Sequence, residues 1–168
     1  MILALLLLQA APAAPWTPIE RADAVNQSKS LAAAAVSREQ NARLVVRCDD
    51  AGDPVVSVQY ITKEPLGASP DRAVDLSFDG AAPVSQAWEF PGNAAFVREP
   101  NAVTAITVAL VKARQVKVHA LTLANVAVDA TFDAPGGDSQ IRSVLSACGY
   151  TLGEVPVVTD DAKKKNKK

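Results

Sequence analysis

The sequence predicts a mainly-β protein, a β-sandwich of about 7–9 short antiparallel strands with one or two short helices. Three observations lead there. From residue 30 onward, short runs of alternating apolar and polar residues are separated by turn signals: Asp50-Ala51-Gly52-Asp53-Pro54, Asp79-Gly80, Pro91-Gly92-Asn93 and Pro135-Gly136-Gly137. Near the end, Ile141, Val144, Leu145 and Cys148 recur at i, i+3, i+4 and i+7, one face of a helix. The chain's two cysteines, Cys48 and Cys148, each close the inward face of an element, one at either end of the domain. That pairing invites a disulfide that staples the C-terminal helix to a strand.

The elements follow in order. Residues 31–36 form a first strand whose alanines could equally start a helix. Residues 43–49 place Leu44, Val46 and Cys48 on one face and Val45 and Arg47 on the other. Residues 55–62 set Val56, Val58 and Tyr60 inward. In 72–79, Val74, Leu76 and Phe78 alternate with Asp75, Ser77 and Asp79. Residues 84–90 carry Trp88 and Phe90 on a single face, and 94–97 form a short strand around Phe96. Residues 101–114 lean to a helix, with Asn101 as cap and Val103, Ile106, Leu110 and Ala113 as its stripe. Their β-branched residues also suit a strand, so both readings stay open. Residues 115–123 and 126–133 read as a strand pair, the second with Val126, Val128, Ala130 and Phe132 inward. Asp138 caps the last helix and Gly149 stops it.

Around this core the chain divides into a signal peptide at 1–13, an extended lead-in at 14–29, one β-sandwich domain at 30–150 and a disordered lysine-rich tail at 151–168. The apolar run Ile2 to Leu8 followed by Ala11-Pro12-Ala13 has the pattern a signal peptidase reads. It is far shorter than the ~20 apolar residues of a membrane span, and no transmembrane segment is expected. The lead-in leaves Trp16 as an exposed recognition aromatic. Asn26-Gln27-Ser28 matches a glycosylation acceptor, a motif short enough to arise by chance. The expected location is therefore the periplasm or the exterior, where a disulfide persists.

Composition excludes some partners. A formal net charge of −1 supplies no electrostatic field for nucleic acid, and 5% aromatic residues offer few stacking surfaces. Two cysteines so far apart make no CxxC redox or zinc motif.

A set of landmarks adds a resemblance: LVVRC at 44–48, VDLSFDGAAP at 74–83, Trp88, a short element at 101–114, VKVHALTL at 116–123, ATF at 130–132 and IRSVLSAC at 141–148. Together they resemble a loose group of exported bacterial β-sandwich proteins with one cysteine bridge. The group is similar to the envelope accessory proteins associated with type VI secretion, and more distantly to the invasion-associated locus B proteins. The resemblance implies periplasmic placement and carries no catalytic residue.

Candidate chemistry is sparse. His119, the one histidine, falls on the face opposite Val116, Val118 and Ala120. It is a possible recognition residue. A hydrolase would need it beside a nucleophile and an orienting carboxylate, and no G-x-S-x-G elbow is present. Asp49, Asp50 and Asp53 around Gly52 could bind calcium, but turn chemistry explains each of them. Asp75, Asp79 and Glu89 could form a carboxylate pair only if they bracket a cleft. Trp88, in phase with Phe90, belongs in the core. The resulting expectation is a non-catalytic envelope module without a cofactor or metal, binding an unknown envelope protein or small ligand. The alternatives are an accessory of a secretion machine and a small periplasmic hydrolase using His119.

Overall fold

The computed structural model describes residues 16–23 and 28–156. Among these residues, nine antiparallel strands form one continuous sheet: β1 (Thr17–Asp23), β2 (Ser28–Val36), β3 (Ala42–Asp50), β4 (Val55–Thr62), β5 (Ser69–Phe78), β6 (Val84–Phe90), β7 (Ala94–Val97), β8 (Gln115–Leu121) and β9 (Ala127–Asp133). Their spatial order is β1-β2-β3-β4-β7-β6-β5-β8-β9. The two halves meet at a single residue pair, Glu89 of β6 with Phe96 of β7. There the sheet folds over, so that β4 faces β9 across the core. The Tyr60 and Phe132 rings meet edge to face with centroids 6.3 Å apart, and the Tyr60 hydroxyl donates to the Val128 carbonyl at 3.4 Å.

Period-2 alternation fills the space between the halves. Leu44, Val46 and Cys48 of β3, Val56, Val58 and Tyr60 of β4, and Val74 and Leu76 of β5 point inward and are buried. Trp88 and Phe90 of β6, Val116 and Val118 of β8, and Ala130 and Phe132 of β9 complete that core. Phe78 and Val128 are only partly buried, because each lies where its strand runs to the rim. Val126, expected inward, is 60% exposed because it precedes β9 and belongs to the connecting turn. In β7 the buried residues are Ala95 and Val97, so Phe96 faces outward.

The two open readings at 31–36 and 101–114 resolve differently. The alanines of β2 form a strand because β1 and β3 satisfy the backbone on both sides. Their small side chains also let a helix pack against the strand. Residues Pro100–Lys112 form α1, with Val103, Ile106 and Leu110 in the core. The cap is Glu99 rather than Asn101: its carboxylate accepts from the amides of Asn101 and Ala102 at 3.0 and 2.7 Å. Pro100 has no N–H to satisfy and suits the first turn. Those two hydrogen bonds hold the Glu99 carboxyl below its ordinary value.

Helix α2 (Ser139–Ala147) buries Ile141, Val144 and Leu145 against β2 and β3. Asp138 occupies the cap position but makes no capping bond; its carboxylate accepts from Arg142 instead. Gly149 ends the helix at φ +73°, a conformation that disfavours a Cβ. Cys148 is bonded to Cys48 with Cα atoms 5.7 Å apart, tying the end of α2 to β3.

The domain is larger than residues 30–150. The segment read as a lead-in is extended, yet β1 pairs with β2 along its whole length. Trp16 is 3% exposed, and its indole N–H donates to the Asp133 carbonyl at 2.8 Å. At the other end, Leu152, like Tyr150, lies against the core rather than in a tail. The signal peptide at 1–13, Asn26 of the glycosylation motif and the lysines from 163 onward fall outside the described residues.

The outer edge of β9 is closed by the β2–β3 turn. Arg38 N–H donates to the Thr131 carbonyl at 2.8 Å, and Glu39 accepts from Thr131 N–H at 2.9 Å. Asn41 donates to the Asp129 carbonyl at 3.2 Å, and the Arg38 guanidinium pairs with the Asp133 carboxylate. Backbone groups that would otherwise invite another strand are thus occupied.

Candidate binding face

The chemistry-bearing residues do not converge. His119 stands on the outer face of β8, opposite Asp75 of β5 on one side and Asp129 of β9 on the other. Its Nδ1 lies 2.7 Å from Asp129 Oδ1, and both side chains are open to solvent. Its register neighbours are carboxylates, not a hydroxyl. Ser77, on the same face, donates to the Ala81 carbonyl at 2.6 Å.

Asp75, Asp79 and Glu89 have three separate jobs. Asp75 belongs to the His119 row. Asp79 accepts from the amides of Arg114 and Gln115, joining the β5–β6 turn to the start of β8. Glu89 pairs with Arg98 at 3.0 Å. In the Asp49–Asp53 turn, Asp49 accepts from Arg47 at 2.7 Å and Asp50 accepts from Gly52 N–H at 3.1 Å. Among the described residues, no three His, Cys, Asp or Glu side chains come together to hold a metal ion. Trp16 and Trp88 are both buried, which withdraws Trp16 as an exposed recognition residue. The Asp133 carbonyl reaches it because β9 folds back beside the start of β1.

What the structure brings together lies on the outer face of β1–β4 and β7. Antiparallel sheets with one face in water normally present polar residues there. Here the register aligns Ile19, Ala32, Arg47 and Ser57 in one row. The next row is Thr17, Ala34, Val45, Gln59 and Phe96, and a third is Val36, Arg43, Ile61 and Ala94. Ala32, Ala34 and Val45 are buried on this outer side, with Ile19 and Ile61 packed against them as a second apolar cluster. An alanine explains the relief. Between longer neighbours, Ala32 opens a shallow depression of 180 Å³, bounded by Ile19, Val45, Ile61, Gln59 and Ser30 and rimmed by Arg21, Arg43 and Arg47.

The rim is cationic. Arg47 is engaged by Asp49, whereas the exposed Arg43 makes no side-chain hydrogen bond or ion pair with another described residue. At the edge of the face, Arg98 lies 5.8 Å from the Phe96 ring while pairing with Glu89. The outer face of the other half differs. Two of its rows read Ser85, Asp75, His119, Asp129 and Ser77, Lys117, Thr131. The two faces therefore present different chemistry: aliphatic with guanidinium groups on one, and in these rows carboxylates, hydroxyls, His119 and Lys117 on the other.

Sequence reasoning missed this face although one signal was present. Val45 and Ile61 were outward by parity and apolar nonetheless. Only the pairing of β1 to β4 places them beside Ile19 and the alanines. Compared with known proteins, the chain matches no family model, no curated protein and no solved structure.

Proposed function

We propose that this chain is a non-catalytic binding module of the bacterial envelope, exported through its N-terminal leader and working through the outer face of β1–β4. The observation that carries the reading is the apolar row structure of that face. Aliphatic residues occupy positions where a solvated sheet needs none: Ala32, Ala34 and Val45 are buried there under the half-exposed Ile19 and Ile61, beside a depression rimmed by arginines. The Cys48–Cys148 bond supports an oxidising compartment. Among the described residues, no helix is long and apolar enough to cross a membrane. Membership of a secretion machine rests on the sequence resemblance and is compatible with this role; gene neighbourhood would separate the two.

Photo-crosslinking in cells that make the protein tests the reading. A photoreactive residue at Gln59, on the apolar face, should give a discrete adduct. The same group at Lys117, on the opposite face, should give none. Adducts of equal yield from both positions, or from neither, would remove the face as a binding site.

A further inference from the structure

We infer that the depression on the outer face of β1–β4 receives one aliphatic or aromatic side chain from an acidic segment of a partner protein, whose flanking carboxylates meet Arg43 and Arg47. This rests on the binding reading above and adds the chemistry of the partner. Size decides the first part. At 180 Å³ the depression lies below the ~300–1,000 Å³ typical of small-molecule pockets, and it suits a single large side chain. Its apolar lining is Ile19, Ala32, Val45 and Ile61; Ser30 and Gln59 also border it, and the Gln59 amide already donates to Ser57 Oγ at 3.0 Å.

Charge decides the second part. Arg43 and Arg47 sit four positions apart on one face of β3, one row to either side of Val45, and so flank the apolar centre. Guanidinium forks bind carboxylates bidentately, and Arg43 has no described partner that a ligand would have to displace. Asp49 already engages Arg47, so an incoming carboxylate shares or replaces that contact. A membrane surface fits less well. The chain carries a net charge of −1, and long-range attraction to anionic lipid needs a basic field rather than two local forks. An acidic peptide with one apolar residue meets the short-range pattern directly.

The test uses the full chain, labelled with ¹⁵N, and three blocked five-residue peptides. One has leucine flanked by glutamates, one has serine in the centre, and one has leucine flanked by lysines. The acidic leucine peptide should shift the amides of Ala32, Val45 and Ile61 with Kd on the order of 1 mM. Arg43→Glu should weaken it roughly tenfold or more, and Arg43→Gln should weaken it less. Thermal melts of both variants should match the parent, since Arg43 is exposed. Absence of shifts, or equal response to the serine or lysine peptide, would overturn the inference. So would Arg43-dependent binding to phosphatidylglycerol vesicles in place of the peptide, or self-association abolished by Arg43→Glu. The Gln59 crosslink is independent of these arms: an adduct that persists in Arg43→Glu would keep the face and discard the acidic segment.

Discussion

Trp16→Ala is the most informative single perturbation of this fold, because local sequence makes the residue look dispensable and the tertiary structure makes it core. Trp16 retains 3% of its exposure and donates its indole N–H to the Asp133 carbonyl. A buried aromatic of this kind removes roughly 150–250 Å² from water. At about 25 cal/mol per Å² that amounts to ~4–6 kcal/mol. Compactness of the unfolded chain trims it by ~10–40%. The remainder, ~3–5 kcal/mol, agrees with the usual cost of truncating a core aromatic to alanine. Trp16→Phe keeps most of the ring but leaves the Asp133 carbonyl without this donor, and should cost about 1–2 kcal/mol. Urea unfolding followed by the fluorescence of Trp88, the other tryptophan, measures both variants against one reporter. Should Trp16→Ala prove too unstable to fold, the phenylalanine variant still has to fall in its own range. A loss below ~1 kcal/mol for the alanine variant would refute the reasoning. It would mean that the start of β1 separates from β9 at little cost.

Two further outcomes follow from the frame. Replacing Cys48 and Cys148 together by alanine should lower stability by up to about 4.7 kcal/mol, the chain-entropy value for a loop of this length; the bonded residues are 100 positions apart. Non-reducing mass spectrometry of the parent protein should find no alkylatable thiol, and two such thiols would contradict the bridge. Tyr60 should create an alkaline limb in the stability profile. Burial, and then the charges of Asp129 and Glu39, raise its phenol above the ordinary 10.0. A raised folded value means the stability is fully present below about pH 10 and is lost as pH climbs beyond it. Melting temperatures should therefore fall as pH rises above about 10 in the parent, and less steeply in Tyr60→Phe. Parallel slopes in the two proteins would place the alkaline limb elsewhere.

Much of the scaffold was legible because its determinants are local. Alternation in 55–62, 72–78 and 84–90 reflects the fixed period of a strand, and Val56, Val58, Tyr60, Val74, Leu76, Trp88 and Phe90 point inward accordingly. The stripe ending at Cys148 reflects the helical period in the same way, so both cysteines could be placed facing the core before any pairing was known. Turn residues did the rest, with Asp50, Gly52 and Gly149 each meeting a backbone requirement within a few residues of themselves.

Contacts between distant strands decided everything that concerns the surface. Trp16 is buried because Asp133, 117 positions away, comes beside it. Helix α1 is an exception: a local signal, the two cap bonds to Glu99, marks its start, although apolar periodicity does not register it. The binding face depends on register: parity assigns Val45 and Ile61 to the outside, but only pairing sets them beside Ile19, Ala32 and the three arginines. Strand periodicity tells which residues share a side of a sheet. It carries no information about which neighbours arrive from elsewhere in the chain, and that arrival turns an outward valine into part of a site.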